Sequence, residues 1–407
     1  METVTTKTSR LDVRWILLAF IAAFCSLRVQ AADMPQAVEA EHGAVVSVSE
    51  SGSKVGLAIL KRGGNAVDAA VAVALTMAVT YPQAGNIGGG GFMMVHPEPG
   101  CVEYREIAPA TATKTMFSLG DSQLGHKIVG VPGTVRGLAL AHQQFGKLPW
   151  KDLVLPAVNL AEKGFAIDQA IAETLNAVLE NQDSKPFTEM LRVFAPPKCD
   201  RWRAGDLLIQ PDLTCTLQLI AFNGPNAFYT GCIADQIVAE MKSGGGLITN
   251  ADLAGYRATI RKPIHGTYRG YDVYGPPPPS SGGICLVQML NILEIFNLRQ
   301  RGHWSAETLH LMIEAMRRAY LDRARHLGDL DFVKIPPHLT TKKYASTLAK
   351  QIEINKATPS EDLAKDIPIS GEGTSTTHFS VIDSTGMGVS NTYTLEHSYG
   401  PRRGIFA

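Results

Sequence analysis

KATPSEDLAKDIPISGEGTS (residues 356–375) runs directly into TTHFSVID (376–383), and the fold is read from this junction. The first half is polar, rich in Pro, Ser, Gly and acidic groups, and reads as an exposed linker. The second half alternates as a strand does. A Ser384-Thr385-Gly386 turn follows, and GVSNTYTLE (388–396) returns as a second strand, which predicts a late β-hairpin. Working upstream, AVVSVS (44–49) alternates in the same way. Leu57 to Arg62 reads as the end of a helix stopped by Gly63-Gly64. Asn65-Ala66-Val67-Asp68 opens the run AAVAVALTMAV (69–79), a small-residue helix suited to close backbone packing. GNIGGGG (85–91) precedes a predicted hairpin of FMMV and VEYRE turning at Pro97 to Gly100, and its four consecutive glycines, 88–91, signal unusual backbone angles or very close approach. Helices are predicted around Gly137–Phe145, Val154–Lys163, Ile284–Phe296 and Ser305–Leu327, the last amphipathic with its charges on one face. Thr249 to Asp252 has capping-box spacing, with Asp in place of the usual Glu. Tyr268 to Tyr274 reads as a strand, followed by PPPP (276–279) and SSGG (280–283), a stiff loop opening a helix. Long helices with a late hairpin imply an α/β (α+β) protein rather than a regular βαβ repeat.

The composition is that of a globular protein: 45% hydrophobic and 19% charged over 407 residues, enough for a sizeable core. Basic and acidic residues balance at 38 each without a basic stripe, which argues against nucleic acid as a partner. The first 31 residues stand apart. Lys7, Arg10 and Arg14 precede the 13-residue apolar run Trp15–Leu27, and Val29-Gln30-Ala31 supplies small residues at −3 and −1. This is the pattern of a secretory signal peptide, 1–31, and the run is short of the roughly 20 residues of a spanning helix. A secreted or periplasmic protein, off the membrane after signal removal, is expected. The five later cysteines (101, 199, 215, 232 and 285) are dispersed without CxxC and read as buried hydrophobes, one disulfide remaining open. The eleven His show no HExxH and no close pair, so no metal site is expected.

Several familiar motifs are absent: GxGxxG behind a strand, the Walker loop and the GxSxG elbow. Ser51-Gly52-Ser53-Lys54 matches SxxK but lacks the companion SDN and KTG. What remains is the linker–Thr–strand junction. A Thr376 hydroxyl attacking the carbonyl of Ser375 gives an ester by N→O acyl shift, and water then frees Thr376 as a new N-terminus. An α-amino group with a pKa of about 7.7–8.0 serves as base for its own hydroxyl near neutral pH. The same residues also read as a plain loop entering a hairpin.

GGNAVDAAVAVALTMAV (63–79), GNIGGGGFMMV (85–95), YREIAPATAT (104–113), GVPGTVRGLALA (130–141), GGLITNADLAGY (245–256), YRGYDVYGPPPPSSGG (268–283), HLGDLDFVKIP (326–336) and TTHFSVID (376–383) occur in this order. Together they resemble the gamma-glutamyltransferase family of N-terminal nucleophile hydrolases, over nearly all of residues 32–407. The resemblance implies an αββα sandwich. It implies a large-subunit domain (32–375) and the start of a small subunit (376–407) whose remaining part is largely missing. It implies autocatalytic cleavage between Ser375 and Thr376 and no cofactor. The implied reaction is transfer or hydrolysis of the γ-glutamyl group of glutathione or related compounds, with amino acids, peptides or water as acceptors.

Thr376 resembles the family's nucleophile. Arg105 in YRE resembles the arginine that grips the substrate α-carboxylate, a task suited to the guanidinium fork. An ion pair with Glu103 or Glu106 is its other reading. Thr394 in TYTLE resembles the second threonine that assists the nucleophile and substrate. Glu396 stands where the best-known members have an Asn at the donor α-amino group. A carboxylate there can pair with an ammonium, or mark the acyl-donor preference of the superfamily's acylases. After LEHSYG the chain reads PRRGIFA and stops, before the family's later substrate-binding residues, its Ser-Ser pair and its Gly-Gly oxyanion donors. The expectation is therefore a weakly processed chain with little transfer activity by itself, and an inactive remnant that binds a small-subunit partner is the alternative.

Overall fold

The computed structural model describes residues 37–97, 100–117, 125–197, 201–367 and 376–399. The signal-peptide segment, Ser375 and Cys199 lie outside the described residues. The chain divides into two units, Met1–Glu41 and His42–Ala407. Ten strands are described: β1 (Gly43–Val46), β2 (Gly90–His96), β3 (Gly100–Glu103), β4 (Phe165–Ala166), β5 (Leu207–Leu208), β6 (Thr259–Arg261), β7 (Ile264–Tyr268), β8 (Tyr271–Gly275), β9 (Thr376–Asp383) and β10 (Gly388–Thr394). Six of them form an antiparallel sheet in the order β1-β9-β10-β2-β3-β6, while β4–β5 and β7–β8 are separate pairs. The late hairpin is thus no appendage. β9 and β10 are interior strands, held on one side by β1 and on the other by β2.

Alternation along β9 sets the two faces. Thr377, Phe379, Val381 and Asp383 are buried, whereas Thr376, His378 and Ile382 are exposed. The buried face meets the helix Ala66–Thr80, every residue of which is buried. Alanine dominates this helix because its neighbours, the helices Glu50–Lys61 and Trp150–Lys163 and the sheet, approach it closely from several sides. Its N-terminus is closed by a capping box in which Asn65 accepts from Val67 and Asp68 N–H and Asp68 accepts from Asn65 N–H. Asp68 is wholly buried and also accepts from the N–H groups of Lys147 and Leu148, so a carboxylate inside the core is fully solvated by backbone.

The same helix is tied to the late hairpin by polar contacts. Asp383, at the end of β9, accepts from Ala66 N–H at 2.9 Å, from Thr385 N–H at 2.9 Å and from Thr385 Oγ1 at 2.7 Å. Tyr393 in β10 donates to the Ala74 carbonyl at 3.0 Å. Burial alone would raise the Asp383 carboxyl, but the hydrogen bonds from Thr385, Ala66 and Met387 outweigh it and hold the carboxyl below the usual aspartate range. Its stabilising contribution is therefore present above the ordinary aspartate value of about 3.9 and lost as pH falls through the lowered folded value. Asp383→Ala is expected to cost about 3 kcal/mol at pH 7. Denaturant melts should show the gap between parent and variant closing below about pH 4.

Three expectations need correction. Tyr268–Tyr274 is not one strand: Arg269 and Gly270, both at positive φ, turn the chain between β7 and β8. Of the four described cysteines, all free thiols, Cys101 and Cys285 are buried but Cys215 and Cys232 are exposed. In the helix Ala306–His326 the charges do not all face outward, because Glu314, Arg318 and Asp322 are buried. They are kept there by mutual pairing and by distant chain. Glu314 bonds Arg318 at 2.6 Å and accepts from Thr358 N–H and Oγ1, while Asp322 accepts from Gln288 and Tyr344.

Candidate active site

Thr376 opens β9, and its partner across the ladder is Thr394, the last residue of β10. Antiparallel register alone therefore makes neighbours of two residues 18 apart in the sequence. Thr394 is buried, and its Oγ1 accepts the N–H of Glu396 at 2.9 Å. That bond closes a tight turn in which Glu396 takes φ 67°, a left-handed conformation uncommon for a side chain of this kind. Strain of this sort is characteristic of residues held for a function.

The glycine run is explained by close approach. A Cβ on Gly89 would sit 2.1 Å from the Thr394 carbonyl oxygen, and one on Gly91 would sit 2.3 Å from that of Thr392. Asn86 locks this contact: its Nδ2 donates to the Thr394 carbonyl at 3.1 Å, and its Oδ1 accepts from Gly89 N–H at 2.9 Å and Thr134 Oγ1 at 2.6 Å. Beyond β3, Tyr104 donates to Asn391 Oδ1 at 2.6 Å, and Tyr256 donates to the Arg105 carbonyl at 2.7 Å. The backbone on either side of the Arg105 side chain is thereby fixed to β10 and to the helical layer.

Arg105, Thr376, Thr394 and Glu396 all line one open cleft of about 760 Å³. The four residues singled out in the sequence are thus brought together, although they come from two distant stretches. The guanidinium of Arg105 is partly exposed and lies 3.4 Å from the Glu106 carboxylate, so the ion-pair reading of Arg105 also holds, with Glu106 as partner. Glu103 pairs instead with Arg261 at 2.8 Å. Burial pushes the Glu106 carboxyl up, Arg105 pulls it back, and Glu396 adds to the rise, which places these three charges in one electrostatic group. His378, one turn of the pleat beyond Thr376, bonds Thr392 Oγ1 through Nδ1 at 2.7 Å and Ser380 Oγ through Nε2 at 3.1 Å. Burial holds its imidazole below the usual histidine range, favouring the neutral ring.

The cleft also holds residues that the sequence did not single out as site residues. Pro279, Ser280 and Ser281, just ahead of the helix Gly282–Leu293, line the cleft together with Arg323 from the helix Ala306–His326. PPPPSSGG was legible as a stiff loop, but nothing local aims it at Thr376. Arg323 carries no sequence signal at all beyond its charge. Among the described residues no group of three or more His, Cys, Asp or Glu side chains is placed to hold a metal ion.

Chemically, the cleft offers an exposed β-hydroxyl, a buried second hydroxyl across the ladder, a guanidinium and a carboxylate. The last two suit the carboxylate and ammonium of an α-amino acid. Comparison with known proteins points the same way. Residues 52–404 match the family model of gamma-glutamyltranspeptidase. The glutathione hydrolase proenzyme of Escherichia coli (strain K12) is 46% identical over 380 residues, covering 90% of this chain and 65% of that protein. The chain therefore spans about two thirds of that relative's length. The crystal structure of Helicobacter pylori gamma-glutamyltranspeptidase superposes with a TM-score of 0.74 at 38% identity, covering 82% of this chain and 97% of that one. Cephalosporin acylase from Bacillus halodurans gives a TM-score of 0.79 at 25% identity, over 93% of this chain and 71% of that one.

Proposed function

The chain belongs to the gamma-glutamyltranspeptidase family, and from that premise we propose that it is the precursor of a threonine-nucleophile enzyme that hydrolyses or transfers γ-glutamyl groups, glutathione being the natural donor. The observation that carries this reading is the convergence of Arg105, Thr376, Thr394 and Glu396 on one cleft. The chain first cuts itself between Ser375 and Thr376. The freed Thr376 amine takes the proton of its own hydroxyl, which attacks the γ-amide carbonyl and expels the amine half of the donor. The γ-glutamyl ester so formed passes to water or to an amino-acid or peptide acceptor. Arg105 holds the α-carboxylate, Glu396 the α-ammonium, and Thr394 sets the turn that carries Glu396. The two pieces act as a heterodimer, and the protein is exported to the periplasm or beyond, its first 31 residues being removed.

The fold of a cephalosporin acylase over most of the chain keeps a second reading alive: the same nucleophile acting on other amides, with Glu396 altering the donor preference. Substrate profiling with γ-glutamyl and other acyl anilides separates the two. The central test is mass spectrometry of the exported protein together with release of nitroaniline from γ-glutamyl-p-nitroanilide. A fragment beginning near Ala32 is expected, with little of the fragment beginning at Thr376 and slow γ-glutamyl turnover from the chain by itself, both rising when a small-subunit segment is supplied in trans. A cleaved chain that turns over other acyl anilides and no γ-glutamyl compound would sink the first reading.

A further inference from the structure

The short helix Asn250–Gly255 and the tyrosine that follows it are not among the residues that line the cleft, yet they grip the segment that carries Arg105. Asp252, which closes the capping box of that helix with Thr249, also accepts from Ala110 N–H at 2.9 Å. Tyr256 Oη donates to the Arg105 carbonyl at 2.7 Å. Between these two holds, Ile107 exchanges both of its ladder bonds with Val131, and just upstream Tyr104 N–H donates to the Gly91 carbonyl at 2.9 Å. The hold on residue 105 itself is the tyrosine hydroxyl.

Tyr256 is fitted to that place. It is 1% exposed, and its ring is stacked on that of Tyr229, 11° from parallel with centroids 6.0 Å apart. A Cβ on Gly133 would sit 2.2 Å from Tyr256 Oη and 2.1 Å from the Tyr104 carbonyl oxygen, so the glycine leaves room for the hydroxyl to reach the backbone. Burial first, then Tyr229 and the carboxylates of Glu106 and Glu103, push the phenol above its usual range and keep it a neutral donor. We propose that Tyr256 is a positioning residue, whose hydroxyl fixes the main chain at residue 105 and so aims the Arg105 guanidinium at the α-carboxylate of a γ-glutamyl donor. This rests on the γ-glutamyl reading above and deepens it by naming what orients its carboxylate subsite. Aim matters here because the Glu106 carboxylate, 3.4 Å from the guanidinium, competes for it. A two-pronged grip on a carboxylate is lost by a small rotation of the fork.

The test uses the full chain complemented with a small-subunit segment. It reads γ-glutamyl-p-nitroanilide turnover, with L-glutamate and its α-carboxamide, L-isoglutamine, as competing ligands. Tyr256→Phe should raise the donor KM about three- to tenfold and leave kcat within about twofold. L-Glutamate should inhibit that variant about three- to tenfold more weakly, while the inhibition constant of L-isoglutamine, which lacks the α-carboxylate, stays at the parent value. Tyr229→Phe is the control. It deletes another buried phenolic hydroxyl, one that accepts from Arg136 N–H at 3.1 Å, and should leave both inhibition constants unchanged. A Tyr256→Phe variant with parental KM and parental inhibition by L-glutamate overturns the proposal. So does one in which both ligands weaken alike, the mark of a merely structural tyrosine. A parent that turns over other acyl anilides and no γ-glutamyl compound instead removes the γ-glutamyl reading, and this role with it.

Discussion

Thr376→Ala is expected to abolish the fragment beginning at residue 376 and, in the chain complemented with a small-subunit segment, to lower γ-glutamyl turnover on the order of 10⁴-fold or more. The size follows from the double duty of the residue. In the proposed mechanism one hydroxyl performs the cut that creates the new terminus, and then performs every turnover. Alanine removes the nucleophile while keeping the strand, because Thr376 sits exposed at the head of β9 and only its backbone serves the ladder. The variant should accordingly melt within about 0.5 kcal/mol of the parent, as surface substitutions do. Thr376→Ser retains a hydroxyl at the same place and is expected to cut and turn over slowly. Intact-mass spectra and anilide release measure both. A Thr376→Ala chain that still yields the fragment would place the nucleophile elsewhere.

Gly89→Ala carries the second large effect, although glycine 89 has no chemistry of its own. Its Cβ would meet the Thr394 carbonyl oxygen at 2.1 Å and Asn86 Oδ1 at 2.8 Å, and the first of these is backbone that can yield only by moving β10. Displacing Thr394 breaks the Asn86 lock and swings the turn that holds Glu396. A loss of about 2–4 kcal/mol in stability is expected. A shift on the order of 1 Å at the cleft is expected to cost about 100-fold in kcat/KM. Gly255→Ala is the control. Nothing lies within 4 Å of its added Cβ, and its backbone needs no positive φ. Its stability should match or slightly exceed the parent's. Chemical denaturation and anilide kinetics on the two variants read the contrast, and equal behaviour would show that the glycine run is not a packing constraint.

How far the sequence reaches is visible in these same residues. The hairpin at 376–394 could be read because a period of two is a local property. So could the helix after Asn65, whose cap and small residues are contiguous. The four residues that meet in the cleft were legible through the motifs around Arg105, Thr376, Thr394 and Glu396, which travel as short words. The insertion of β9 and β10 between β1 and β2 was not legible, since register between strands about 300 residues apart is set by packing that no local pattern records. Arg323 and Ser281 escaped for a similar reason: helix packing brings them to the cleft. The buried Glu314 and Asp322 broke the amphipathic reading because each has a partner that lies outside its own helix, Thr358 for one and Tyr344 for the other. The helix Gln169–Glu180 is a different case. Its Asp168 cap and its buried Ile171, Ala172 and Leu175 are a legible helical signature, so there the signal was present.

The interior position of β9 and β10 has a consequence for the cut protein. Once the bond before Thr376 is broken, the piece that carries the nucleophile is still laced into the sheet from both sides. Intact, the chain is expected to return from denaturant by a first-order process. Nicked, it has to find its other half in solution, and recovery becomes second order in protein. The proposed cut would thus turn a one-body refolding into a two-body one, whose recovery after heating depends on dilution.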